Sequence, residues 1–154
     1  MTDNTADKPA KPKFSWNPFV PIIDEAHARG LAKEGGAACI GLVAFGYVAM
    51  TVIVMLGGES PFAPGGDKTS VLIAHAVVLG IAALLGWQIW TKQPVWAVGL
   101  ALAWMIIETA GKLMVIIGNG PGGGAASFVL NAIGLVVGVQ AVRAALWLGK
   151  QKKG

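Results

Sequence analysis

Residues 70–90 of the chain have the sequence SVLIAHAVVLGIAALLGWQIW, which contains no lysine, arginine, aspartate or glutamate. At a rise of about 1.5 Å per residue, a helix of this length extends about 30 Å, the thickness of the hydrocarbon core of a bilayer. A surface helix of a soluble protein would show charged residues on one face. This stretch is apolar on every face, and it therefore predicts a helix surrounded by lipid.

Three further apolar runs of similar length occupy residues 37–56, 95–117 and 125–148. The four runs are separated by breaks rich in Gly and Pro, at residues 57–67, 91–94 and 118–124. A membrane-spanning strand has only about ten residues and alternates between polar and apolar positions, which these continuous runs do not. The sequence thus predicts an all-α membrane protein with a four-transmembrane-helix bundle over residues 35–149.

The composition supports this fold class. Of 154 residues, 55% are hydrophobic and 13% are charged, whereas soluble domains carry about 25% charged residues. The charged residues between the glycines at 35 and 149 are Glu59, Asp67, Lys68, Lys92, Glu108, Lys112 and Arg143. The single cysteine, Cys39, cannot form a disulfide within one chain, and a small packing residue is the expected role.

The two ends of the chain differ from the apolar runs. Residues 1–13 are basic and poor in apolar side chains, so we expect a disordered arm. Residues 14–34 begin with aromatics and prolines and continue as an amphipathic pattern, which predicts a separate helix in the membrane interface. We expect a bend between this helix and the first span at Gly35 and Gly36, and a basic tail over residues 150–154.

The distribution of positive charge predicts the orientation. Lysines and arginines concentrate before the first span, in the turn at Lys92 and in the tail, whereas the two other loops contribute only Lys68. Positively charged loops remain in the cytoplasm. Both ends are therefore expected on the cytoplasmic side of a bacterial inner membrane, with the bilayer as the first partner and no nucleic acid bound.

Polar residues inside the predicted spans are the candidate functional residues, because a charge in the hydrocarbon region costs roughly 2.5–3.5 kcal/mol on insertion scales. Helical geometry places them in two layers. The outer layer, expected to be an intramembrane polar cluster, contains His75, Glu108, Lys112 and Asn131. The inner-leaflet polar layer contains Gln88, Gln140 and Arg143.

Glu108 and Lys112 allow two interpretations. Their i, i+4 spacing places both on one helical face, where they can form a structural ion pair that Asn131 or His75 completes. The alternative is a proton or cation relay in which Glu108 titrates. Arg143 is expected to extend its stem to the inner headgroups, and Gln88 and Gln140 can hydrogen-bond between helices.

Cofactor and metal chemistry have little support in the sequence. His75 could be an axial ligand of haem or a pigment, but the predicted spans hold no second histidine. A zinc site needs three or four ligands, and the candidate ligands lie at different depths. We therefore expect no cofactor and no metal.

Several short motifs give the chain a family resemblance. They are the acidic lead-in DEAHARGL at residues 24–31, the turn WTKQPVWA at 90–97, the element Gln140-x-x-Arg143 before a basic tail, and Lys112 late in the third span. With these motifs the chain resembles a group of small, uncharacterised bacterial membrane proteins with four transmembrane helices. The resemblance covers residues 24–153 and implies the topology but no activity. The aromatic content and Glu108 depart from that group.

The sequence favours a non-enzymatic membrane protein, because no combination of a nucleophile with a base and no metal constellation is present. The first hypothesis is a scaffold, accessory or partner-binding subunit, as a homo-oligomer or in a larger membrane complex. The first alternative is a small oligomeric transporter or channel that uses the Glu108, Lys112 and His75 cluster. The second is a haem or pigment protein that binds through His75.

Overall fold

The structure is a computed structural model that describes residues 17–58, 65–117 and 125–151. The described residues form four α-helices and no strand: α1 (Glu25–Met55), α2 (Lys68–Lys92), α3 (Val95–Ile117) and α4 (Ala125–Gln151). The four predicted spans are thereby confirmed as helices. The predicted basic arm at residues 1–13, part of the first long loop, the whole of the loop at 118–124 and the last residues of the tail lie outside the described residues.

Local sequence sets the helix ends. Asp24 caps α1, and its carboxylate accepts a hydrogen bond of 2.7 Å from the backbone N–H of His27. Asp67 caps α2 in the same way through the N–H of Ser70, at 2.9 Å. At the other end of α2, Gln93 adopts a left-handed conformation with φ 46° and Pro94 follows, so the helix cannot continue.

The structure corrects the expectation of a separate interfacial helix. The segment that follows Asp24 continues into the first span as one helix of 31 residues, without an interruption at Gly35 or Gly36. Gly35 is instead a point of contact with α4, since a Cβ atom added to it would lie 2.6 Å from the carbonyl oxygen of Val137. The two glycines therefore let neighbouring helices approach α1 closely, and they do not end a helix.

The helices alternate in direction, and α1 occupies the centre of the bundle. It packs most extensively on α4, then on α2, and also on α3. The α3 and α4 helices pack on each other, whereas among the described residues α2 touches α3 only sparsely and has no contact with α4. The core is built from small and branched side chains around Cys39, Ile89, Val98 and Met105.

Two of the intramembrane glycines of α4 are sites of close approach. An added Cβ would lie 2.9 Å from the Met105 side chain at Gly134 and 2.7 Å from Cys39 at Gly138. The small-xxx-small pattern of α4 thus corresponds to close helix packing. By contrast, Gly41, Gly46, Gly80 and Gly99 have no neighbouring atom within 4 Å of an added Cβ.

All four helices are long and apolar enough to cross a membrane. Many of their large apolar side chains point outward, and the most exposed of them within the helices are Met114, Ile117, Ile107 and Phe45. The outer surface of the bundle is therefore apolar, as expected for helices that contact lipid or a partner helix.

Candidate functional site

The candidate site begins on α3, which presents Glu108 and Lys112 on one face. The Lys112 ammonium donates a hydrogen bond of 3.1 Å to Oδ1 of Asn131 on α4. Across the described ranges, Arg29 and Glu25 form the only ion pair within 4.0 Å. Of the two interpretations, the direct ion pair between Glu108 and Lys112 is thus absent from the described contacts, and the Lys112 ammonium binds the amide oxygen of Asn131.

Glu108 faces α1 and interacts with the side chain of Tyr47. Between these helices lies a cavity of about 50 Å³, which we call the polar cavity. Its polar lining is Tyr47, Glu108, Lys112 and Asn131, and its apolar lining includes Met50 and Met105. One water molecule needs about 10–15 Å³ of such space together with polar partners. The polar cavity is therefore large enough for a small group of water molecules.

His75 lies on the other side of Tyr47. The two rings pack edge to face with their centroids 5.6 Å apart, and His75 is buried. Its Nδ1 atom is 3.1 Å from the hydroxyl of Thr51, which donates its proton to the Tyr47 carbonyl at 2.7 Å. Because a hydroxyl has one proton, Thr51 accepts from His75, and Nδ1 carries a hydrogen.

These contacts join residues of all four helices into one group, which we call the polar cluster. Its members are Tyr47 and Thr51 of α1, His75 of α2, Glu108 and Lys112 of α3, and Asn131 of α4. The sequence predicted His75, Glu108, Lys112 and Asn131 for this layer, and the structure brings Glu108, Lys112 and Asn131 to one cavity, with His75 connected through Tyr47.

One donor of the polar cluster lacks an acceptor. Nδ2 of Asn131 is buried and makes no hydrogen bond to any described residue, although Oδ1 of the same amide accepts from Lys112. A buried donor without a partner costs roughly 1–3 kcal/mol. Since Asn131 lines the polar cavity, a water molecule or another hydrogen-bond acceptor in the cavity would satisfy this amide.

The sequence analysis missed Tyr47 and Thr51. Both are ordinary residues of apolar helices, since a tyrosine buries most of its ring and a threonine hydroxyl can bond to its own helix. The available signal was their i, i+4 spacing, which places two hydroxyl-bearing side chains on one face of α1. Tyr47 is also the only tyrosine of the chain.

The inner polar layer has a different role from the one expected. Gln140 donates to the carbonyl of Asn17 at 2.8 Å, and Arg143 donates to the carbonyls of Pro18 and Val20 at 2.9 and 3.3 Å. The Arg143 guanidinium also lies over the ring of Phe19, 5.2 Å from its centroid. We call residues 17–20 the docked segment. Arg143 therefore binds the chain itself, and Gln88 takes no part in these contacts.

The described residues give limited support to cofactor chemistry. His75 does not line the polar cavity, and its ring is packed against Tyr47. Within the described part of the chain, no three His, Cys, Asp or Glu side chains lie close enough to hold a metal ion. Cys39 is buried, and its thiol donates to the carbonyl of Gly134 at 3.2 Å.

Comparisons of the chain with protein-family models, curated proteins and solved structures give no match.

Proposed function

We propose that this chain is a non-enzymatic, multi-pass membrane protein that conducts protons, or a small cation, through its polar cluster. The observation that carries the proposal is the polar cavity, where Glu108, Lys112 and the unsatisfied amide of Asn131 meet. A partly satisfied polar network is less stable than an apolar core of the same volume. Helix packing alone would thus be served better by apolar side chains.

The contacts suggest an order for the proton path. Glu108 and Lys112 bind water in the polar cavity, and Glu108 exchanges a proton with that water. Tyr47 interacts with this carboxylate and packs its ring on His75, whose imidazole is oriented by Thr51, so these three residues position Glu108 and the proton itself moves between Glu108 and the water. Lys112 balances the charge of Glu108 without binding it directly, since its ammonium is held by Asn131.

Purified protein in liposomes that contain a pH-sensitive dye tests this proposal. With an imposed pH gradient, we expect proton flux above that of protein-free liposomes. The variant Glu108→Gln keeps the shape of the side chain and cannot titrate, so its flux should fall by about tenfold or more. Flux equal to that of empty liposomes would contradict the proposal, and equal flux in parent and variant would remove Glu108 from the path.

The chain offers a matched control. Glu34 of α1 is exposed and lies outside the polar cluster, so Glu34→Gln makes the same chemical change without touching the site. We expect Glu34→Gln to retain the parent flux. Purified Glu108→Gln should also be compared with the parent by thermal unfolding in detergent, so that a folding defect is distinguished from a loss of conduction.

The proposed location is the cytoplasmic membrane of a bacterium, with both ends in the cytoplasm. The docked segment and the second half of α4 meet at one end of the bundle, together with the turn between α2 and α3. This end carries Arg29, Lys33, Lys92 and Lys150, whereas Lys68 is the one lysine at the start of α2. The rule that positive loops remain inside supports this orientation.

A second candidate function is a scaffold or accessory subunit that binds another membrane protein or a second copy of this chain. The observation that favours it is the position of α2, which packs mainly on α1 and leaves Ile73, Val77, Leu84 and Trp87 exposed. Apolar surface of this kind contacts either lipid or a partner. A dimer would also help a four-helix chain to enclose a conducting path.

Crosslinking in native membranes tests the second candidate. The variant Val77→Cys places a thiol on the exposed face of α2, while the native Cys39 is buried. A disulfide-linked dimer or a larger adduct with Val77→Cys would support an interface on α2. A monomer under oxidising conditions, and no copurifying protein from gentle detergent, would contradict it.

A further inference from the structure

A second and larger cavity lies at the end of the bundle where the docked segment meets α4. It has a volume of about 280 Å³ and lies between α1, the turn that joins α2 to α3, and the last turns of α4. We call it the basal cavity. Its polar lining consists of Arg29, Lys92 and Gln93, and its apolar lining includes Val95, Ala145 and Leu148.

The side chains of the basal cavity are cationic. Arg29 and Lys92 line it, and no acidic side chain does. Lys92 is exposed, and its ammonium forms no ion pair with the described acidic residues. Glu25 accepts from Nε and Nη2 of Arg29 at 2.9 and 2.6 Å. A guanidinium has five N–H donors, so this pair fixes its orientation and leaves three donors available.

Glu25 offsets part of the charge that Arg29 brings to the basal cavity, and Lys92 forms no ion pair within the described residues. The side chains of Arg29 and Glu25 are more than half exposed, at 51% and 60%, and exposed pairs of this kind contribute little energy because water screens them. Glu25 also does not line the basal cavity. A negatively charged ligand in the cavity would therefore interact with two cations and with the amide of Gln93.

The surroundings of the basal cavity match the headgroup level of a membrane. Trp90 and Trp96 flank the lining residues Lys92 to Val95 in sequence, and they are 55% and 58% exposed. Exposed tryptophans of this kind are typical of the interface between lipid and water. Lys33 lies over the Trp90 ring, 3.7 Å from its centroid, which adds a cation at the same level.

We propose that the basal cavity binds a phosphate group, carried by the headgroup of an anionic phospholipid. The cations would hold the phosphate, and Val95, Ala145 and Leu148 would face the glycerol end of the lipid. Ligand pockets usually measure about 300–1,000 Å³, so a cavity of this size holds a headgroup while the acyl chains stay outside. This site is separate from the polar cavity and independent of proton conduction.

Lipid binding to the full chain in nanodiscs, followed by native mass spectrometry after release from the discs, tests the proposal. One set of discs contains phosphatidylglycerol and the other contains phosphatidylcholine, which has the same phosphate but no net charge. We expect retained phosphatidylglycerol on the parent protein and little retained phosphatidylcholine. In the double variant Arg29→Gln with Lys92→Gln, the affinity for phosphatidylglycerol should fall by about tenfold or more.

Two controls make the outcome specific to the basal cavity. Lys150→Gln removes a cation near the same end of the bundle that does not line the cavity, and Lys92→Arg preserves the charge. Both should retain the lipid. If Lys150→Gln weakens binding as much as the double variant does, the effect is general surface charge and the proposal is overturned.

A further arm distinguishes the source of the phosphate. Inorganic phosphate is added at millimolar concentration to the protein in phosphatidylglycerol discs. Retention of the lipid by the parent protein supports a headgroup site, whereas its displacement by phosphate assigns the cavity to a soluble phosphate and overturns the lipid part of the proposal. Equal lipid retention by the parent and the double variant would overturn it entirely.

Discussion

At the scale of single residues, Gly35 fixes the distance between α1 and α4. A Cβ atom at this position would lie 2.6 Å from the backbone carbonyl oxygen of Val137 and 3.0 Å from the side chain of Ala141. Backbone cannot move aside as a flexible side chain can. Gly35→Ala should therefore destabilise the protein by about 1–3 kcal/mol, the usual cost of an overpacked contact.

Gly41 provides the matched control for Gly35 on the same helix. Nothing lies within 4 Å of a Cβ added there, and alanine has a higher helix propensity than glycine by about 1 kcal/mol. Gly41→Ala should thus leave the stability unchanged or raise it. Unfolding of both variants in detergent, followed by circular dichroism, checks the difference. Equal stability of the two variants would contradict the packing argument.

The residues of the polar cluster show where sequence analysis works and where it fails. His75, Glu108, Lys112 and Asn131 were identifiable because ionisable and amide side chains are rare inside membrane spans. Their hydrogen-bond partners were not identifiable, because Lys112 can reach an acceptor on its own helix or one on α4. That choice depends on how the helices pack, which the i, i+4 spacing does not contain.

At the scale of helices, Asp67 makes the start of α2 sensitive to pH. Hydrogen bonds from the N–H and hydroxyl of Ser70 lower the pKa of this carboxyl from its ordinary value of 3.8. The stabilising effect of these hydrogen bonds is fully present above pH 3.8. It is lost as the pH falls through the lowered pKa of Asp67, because the carboxyl is then protonated in the folded protein as well.

Hydrogen exchange of the first turn of α2 measures this effect. After correction for intrinsic rates, the amide of Ser70 should lose protection in the parent protein as the pH falls below 3.8 and through the lowered pKa of Asp67. Asp67→Asn keeps an acceptor oxygen and cannot titrate, so its protection should stay constant over this range. A pH-dependent loss of the same size in Asp67→Asn would exclude Asp67 as the cause.

Arg143 holds the docked segment against α4. Replacement by glutamine removes donors to the carbonyls of Pro18 and Val20 and the contact with Phe19. Arg143→Gln should therefore accelerate amide exchange within residues 17–23 by about tenfold, since a hydrogen bond from a charged group contributes about 1.5–3 kcal/mol. Lys150→Gln, on the exposed end of the same helix, should leave these rates unchanged.

The helices themselves were predictable to a large extent. Apolar runs of bilayer length and their Gly- and Pro-rich breaks predicted all four, and Val95–Ile117 has the expected bounds. The continuation of α1 back to Glu25 was not predicted, because Gly35 and Gly36 favour a helix break when considered alone. Their contacts with α4 and with Ile89 of α2 are long-range, and these contacts keep the helix intact.

At the scale of the whole molecule, the proposed orientation makes a prediction about accessibility. Lys150→Cys and Gly66→Cys place thiols at opposite ends of the bundle, and both positions are exposed. With a membrane-impermeant maleimide, Gly66→Cys should react in intact cells and Lys150→Cys only after permeabilisation. The parent protein should not react in either case, since its one thiol is buried. The inverse pattern would reverse the orientation.

The docked segment has a consequence for biosynthesis. Its carbonyls accept hydrogen bonds from side chains of α4 that are 123 and 125 residues further along the chain. During translation, these donor side chains are therefore synthesised long after the carbonyls that they bind. Throughout translation of the intervening helices, residues 17–20 must satisfy their carbonyls elsewhere. A chain truncated before α4 therefore never acquires these partners, and it also leaves the α1 surface around Gly35 uncovered. The contacts of the docked segment and of Gly35 thus form only after α4 has been made, and membrane proteases should degrade truncated chains preferentially.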